Sequence, residues 1–148
     1  MSTTHLPAGA GQHYPMIDGD HIAKATLVDT CGAFEVFEVV ASAAPMAPPH
    51  ASPWSGALFL LEGRITAVVD GTAYDVEPGG LVVVPAGTPL TFEVVGETAR
   101  LLAITTGDAA GRFFADFSRS VPLDRPPAAS LEAILSVTAR HGVTLAGP

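Results

Sequence analysis

The sequence predicts an all-β domain, a small antiparallel sandwich or barrel followed by two short helices. Three observations carry that expectation. Short apolar runs alternate with turns through the middle of the 148-residue chain. Glycine and proline, 15 and 13 residues, punctuate those runs. Helical spacing replaces the alternation only after Gly107. Many short strands divided by Gly/Pro turns are the pattern of a sandwich or barrel. The expected organisation is an N-terminal tail over residues 1–17, a barrel over 18–107, and a helical extension over 108–148 packed on the barrel.

In chain order, residues 1–17 are small, polar and unpatterned. A short strand is expected over 22–27, then a turn over 29–32. Residues 33–41 are β-branched and aromatic, and period-two alternation puts Phe34, Val36, Glu38 and Val40 on one face. The connection over 45–53 is rich in proline, which cannot donate to a ladder. Strands are expected over 57–61, 65–69 and 72–76, with Asp70-Gly71 as a two-residue hairpin turn. Further strands are expected over 81–84, 90–95 and 99–106. Phe113, Phe114 and Phe117 then share one face of a helix over 109–118. A second helix is expected over 131–140, with Ser130 as N-cap, His141 in its last turn and Gly142 as C-terminal cap.

Composition excludes several functions. The net charge of −8 repels phosphate backbones, so nucleic acid is not an expected partner. One cysteine, Cys31, permits neither an internal disulfide nor a cysteine-based zinc site. Hydrophobic residues make up 48% of the chain, yet the apolar runs fall far short of the roughly 18 residues of a membrane helix, and no membrane is expected as a partner. No Lys or Arg precedes Lys24, which speaks against a secretory leader with a basic start. The expected location is cytoplasmic.

Gly63, Gly79, Pro85 and Gly87 stand at the spacing of the backbone residues in two motifs, G-x5-H-x-H-x3,4-E-x6-G and G-x5-P-x-G-x2-H-x3-N. The chain thereby resembles the cupin superfamily, a jelly-roll barrel built as a double-stranded β-helix. Thr30 to Phe34, the Pro48-Pro49-His50 entry and a paired-Phe helix are similar to single-domain cupins of the quercetin-2,3-dioxygenase-like kind. The resemblance implies a homodimer joined through an outer sheet face. It also implies a divalent metal held by three His and one Glu, and here the sequence departs from it. The ligand positions hold His50, Ser52, Gly56 and Leu90, with Val94 at the motif's final asparagine position. Glycine and leucine carry no donor, and a serine hydroxyl is a poor ligand beside imidazole or carboxylate. The metal site therefore reads as degenerate, and no metal or cofactor is expected. His5, His13, His21 and Glu38 remain conceivable replacement ligands, although nothing in their spacing argues for it.

Because ligand positions in this fold point inward, alternation places Ser52, Gly56, Leu58, Leu60, Leu90, Phe92 and Val94 inside the barrel. An apolar wall with a few polar groups describes a small-molecule site, here for a hydrophobic or aromatic compound. His50 is the candidate for proton transfer, or else a relic bonded to a loop carbonyl. Glu38 is either a buried catalytic carboxylate or an outer-face residue paired with Lys24 or Arg100. Ser52 is a candidate ligand contact or a loop hydroxyl. Trp54 is a lid over the mouth or loop packing, and Tyr14 a phenol donor near the mouth. The function these residues favour is a metal-independent cyclase, isomerase or lyase of secondary metabolism, with His50 moving protons. Two alternatives stand beside it: a non-catalytic small-molecule-binding cupin, and a metal-dependent dioxygenase with ligands outside the motif.

Overall fold

In the computed structural model, which describes residues 3–145, β1 (His13–Met16) turns through Ile17 and Asp18 into β2 (Gly19–Ala25). β1 lies within the segment 1–17 expected to be an unpatterned tail, and β2 starts three residues before the strand expected over 22–27. The register of this hairpin runs from His13 opposite Ile22 to Met16 opposite Gly19. The Asp18-Gly19 dipeptide supplies the turn chemistry, with Gly19 at φ +143° against the backbone of Val40. β2 then pairs with β3 (Phe34–Ser42), and β3 pairs along its whole length with the C-terminal half of β8 (Leu90–Thr106).

The remaining strands are β4 (His50–Ala51), β5 (Gly56–Val69), β6 (Thr72–Val76) and β7 (Leu81–Val84). β5 is hydrogen-bonded to β6, β7 and β8. The breaks expected after residues 61 and 95 are therefore bends in two long strands, not ends. Register shifts lie between Leu60 and Glu62 and between Glu62 and Arg64. Such bulges curl a sheet without ending the pairing. Gly63 makes the curl possible: it has φ +81°, and a Cβ there would stand 2.5 Å from the carbonyl oxygen of Thr98. The Asp70-Gly71 turn has positive φ at both residues, 50° and 80°, as a type I′ hairpin requires.

Two helices close one end of the barrel, α1 (Ala109–Ser120) and α2 (Leu131–Arg140), with a 3-10 turn over Pro127–Ser130 between them. The Phe113, Phe114 and Phe117 stripe is buried against the sheet, and Phe114 meets Phe37 edge-on at 4.9 Å. Glu35 anchors the start of α1 by accepting the Gly111 N–H at 3.1 Å. Burial is the main cause of its raised pKa, partly opposed by that hydrogen bond. Ser130 does not cap α2 as expected; its side chain is buried and makes no capping bond. Gly142 does end the helix, with the Val143 and Gly142 N–H groups turned back to the Thr138 and Ala139 carbonyls. The His141 side chain reaches across to Asp116 of α1 at 2.8 Å, and Arg140 joins the same carboxylate at 3.1 Å. A final strand, β9 (Thr144–Leu145), pairs with β4. Among the described residues no helix is long and apolar enough to cross a membrane.

The core lies between the curled sheet and the helices. β3 contributes Phe37, Val39 and Ala41, β5 contributes Leu60, Ile65 and Ala67, and β8 contributes Leu101 and Ala103. Alternation on β3 therefore holds, with Phe34, Val36, Glu38 and Val40 on the outer face. The architecture is the all-β jelly roll with two short helices that the sequence predicts.

Candidate functional site

β4 is only two residues long, and it is clamped on both sides. His50 pairs with Leu90 of β8 and with Leu145 of β9. That clamp places the imidazole on the wall of an apolar cavity that opens to solvent. Ser52, Gly56, Leu58, Leu90 and Phe92 line the same cavity, as alternation predicts. Val39, Leu101 and Ala103 complete its apolar wall. Trp54 and the buried Phe114 also line it, 6.4 Å apart and edge to face.

Four expected site residues fall elsewhere. Glu38 points out of the barrel, where Arg100 donates to its carboxylate at 2.9 Å, so it is no acid or base for this cavity. Leu60 is fully buried in the core and does not border the cavity. Val94 lines a separate shallow cavity with Ile17 and Pro45. Tyr14 packs on the core from β1 without reaching the cavity wall. A one-residue change of phase flips a strand residue to the other face, and phase is what sequence alone leaves open for Glu38.

The structure also brings in Asp18, which sequence reasoning missed, and His21, which it raised only as a conceivable replacement ligand. Asp18, from the β1–β2 turn, and His21, from β2, both line the cavity beside His50. His21 is 5% exposed, and its Nδ1 lies 3.1 Å from the Gly19 carbonyl oxygen. A carbonyl only accepts, so Nδ1 donates and Nε2 is left for another partner. The His21 ring lies 4.4 Å from Phe114. Thr105 adds a buried hydroxyl with no hydrogen-bond partner among the described residues. The Asp18-Gly19 dipeptide between two alternating runs is the hairpin signal that would have located Asp18 and His21.

The electrostatics favour a neutral His50. Burial is the largest influence and pushes its pKa below the usual imidazole value. Asp18 opposes that shift, and the nearby His21 adds to it. A buried neutral imidazole has one nitrogen that donates and one that accepts.

The donor set does not fit the metal that the resemblance implies. Among the described residues, no group of three or more His, Cys, Asp or Glu side chains is placed to hold an ion. At the glutamate position, a Cβ on Gly56 would already lie 3.3 Å from the Ile104 carbonyl oxygen. His13 is engaged on the outer hairpin with Asp20 at 2.6 Å. His21 alone of the proposed replacements joins His50 at the cavity.

Comparison with known proteins agrees with the barrel. Residues 36–105 match the family model for the Cupin domain. The structure is similar to that of the polyketide cyclase RemF from Streptomyces resistomycificus, with a TM-score of 0.63 and 22% identity, over 71% of this chain and 80% of that one. It is also similar to KdgF from Halomonas sp., with a TM-score of 0.63 and 11% identity, over 72% and 94% of the two chains. Ectoine synthase from P. lautus superposes with a TM-score of 0.59 and 14% identity, over 73% and 79%. No curated protein sequence matches the chain. At these identities the structural likeness speaks for the fold alone. The fold is a cupin barrel.

Proposed function

We propose that this cupin is an enzyme that works without a metal on a small hydrophobic or aromatic metabolite, by proton transfer at His50. The observation that carries the proposal is the half-buried His50 imidazole at the edge of an apolar cavity, where desolvation pushes its pKa below the usual value. Ligand cavities are commonly apolar and present few, well-placed polar groups. A planar substrate enters past Trp54 and Phe114 and lies against Leu58, Phe92 and Leu101. His50 accepts a proton from an acidic carbon or hydroxyl, and the Asp18 carboxylate stabilises the imidazolium that results. The imidazolium then returns the proton to another atom of the same substrate. Removal and return of one proton suffices for an isomerisation, an elimination or a ring closure. The apolar wall contributes by holding the reacting atoms together and excluding water. RemF is named a polyketide cyclase, and a ring-forming reaction on a hydrophobic substrate suits the lining of this cavity.

Native mass spectrometry of the purified protein, before and after dialysis, tests the proposal. The expected spectrum shows an apolar small molecule released by organic solvent, and no stoichiometric transition metal. Iron, manganese, nickel or zinc at one per chain after dialysis would overturn the metal-free reading.

A further inference from the structure

His50 and Asp18 border a second cavity as well as the first. It is a half-open apolar cleft on the helical side of β4, between the β1–β2 hairpin and the two helices. Its wall is built from Met16, Ile17, Phe113, Phe117, Ile134 and Leu145. Thr138 is also there, but its hydroxyl donates back to the Ile134 carbonyl at 2.9 Å and is consumed within α2. The side chains that offer an occupant unspent polar groups are thus the two at the junction. An open apolar chamber that shares its polar edge with a ligand cavity is therefore a place for more ligand.

We propose that the two cavities form one bipartite site, which takes an elongated hydrophobic molecule carrying a hydroxyl or keto group between an aromatic end and an aliphatic arm. The aromatic end lies in the barrel mouth among Trp54, Phe92 and Phe114, and the polar group meets His50. The aliphatic arm continues into the second chamber. This inference rests on the first cavity being a small-molecule site, and it adds the shape and chemical class of the substrate. It also gives the helical extension a function, since Phe113, Phe117 and Ile134 become specificity-determining residues.

Ala47 permits a clean test. It borders the second chamber but not the first, and lies in the loop before β4. Its backbone oxygen, which accepts from the Thr91 hydroxyl at 2.7 Å, is unaffected by a side-chain change. The experiment compares 1-naphthol with 2-hexyl-1-naphthol by calorimetric titration against wild type, Ala47→Phe and the gentler Ala47→Leu. In the longer probe the hydroxyl sits beside the point of chain attachment. Each buried methylene is worth about a fourfold gain in affinity. The expected result is that the hexyl probe binds wild type at least about tenfold more tightly than 1-naphthol. Ala47→Phe then removes that gain and leaves 1-naphthol binding unchanged. Ala47→Leu reduces the gain, which guards against a misfolded Phe variant. If 1-naphthol binds but the hexyl arm adds nothing, or the gain survives both substitutions, the bipartite site is overturned while the first cavity stands. If neither probe binds, the reading of the first cavity falls too, and this inference with it.

Discussion

His50 is the residue on which the chemistry turns, and its protonation gives a test that needs no substrate. Burial holds its folded-state pKa below the ordinary value of 6.5. The folded protein therefore binds fewer protons here than the unfolded chain as pH falls through that value. Stability is unaffected above about pH 6.5 and declines as pH falls from there toward the lowered folded value. Thermal melts across pH 4–8 should show wild type losing Tm below pH 6.5 more steeply than His50→Gln. Parallel curves would mean that the imidazole is not buried in the neutral form. Much of the site is legible at this scale. The absence of donors at Gly56 and Leu90 can be read directly from the motif spacing. The role of Glu38 stays open between two readings there, and the burial of its neighbours Phe37 and Val39 settles it by turning Glu38 outward to Arg100. Asp18 escapes notice, and His21 is noticed only as a conceivable ligand, because a short hairpin at the start of the chain carries both to the cavity.

At the scale of elements, glycine and proline locate the turns well but do not separate turns from bends. Gly71 ends a strand and Gly63 does not, although both have φ near +80°. Around Gly71 a Cβ would meet nothing within 4 Å, as in an exposed hairpin loop. At Gly63 a Cβ would lie 2.5 Å from the Thr98 oxygen and 2.9 Å from the Ala99 Cα. Both are backbone atoms of β8, so the conflict cannot be relieved by turning a side chain. Gly63→Ala should destabilise the protein by at least about 1–3 kcal/mol, the usual strain of a non-glycine residue in a sparsely populated region. Urea denaturation measures it directly. A change below about 0.5 kcal/mol would show that the bulge does not depend on glycine. The tail helix follows the same logic. Its aromatic stripe is visible as a helical face, but only packing divides it, with Phe114 on the first cavity and Phe117 on the second.

Across the whole molecule, the outer face of the sheet carries a continuous apolar surface with no assigned role. Val36 lies opposite Ile104, which lies opposite Ala57, which lies opposite Val83. The neighbouring row runs from Leu102 through Phe59 to Leu81. Leu81 and Val83 are 57% and 61% exposed. Arg100, bonded to both Glu38 and Glu62, forms a polar margin along one side. Apolar patches of this continuity mark interaction surfaces. We propose that a second copy of the chain packs here, giving the homodimer that the cupin resemblance implies. An isologous interface needs one self-complementary patch, and a broad flat sheet face can supply it. Sedimentation equilibrium should show a dimer for wild type and a monomer for the double variant Leu81→Glu, Val83→Glu. A monomeric wild type, or a variant that still dimerises, would exclude this face.

The sequence alone determined the properties that are local: period-two alternation, the Asp70-Gly71 turn, the helical stripe and the missing donors at the motif's ligand positions. Each depends on residues within a few positions of one another, where chain geometry leaves little choice. Only the tertiary structure decided which polar groups meet. It set Glu38 outward, brought Asp18 and His21 to His50, and opened a second apolar chamber beneath the helices. The physical reason is that a strand's period does not specify its phase. The buried face is chosen by contacts with distant segments, and a pocket is made entirely of such contacts.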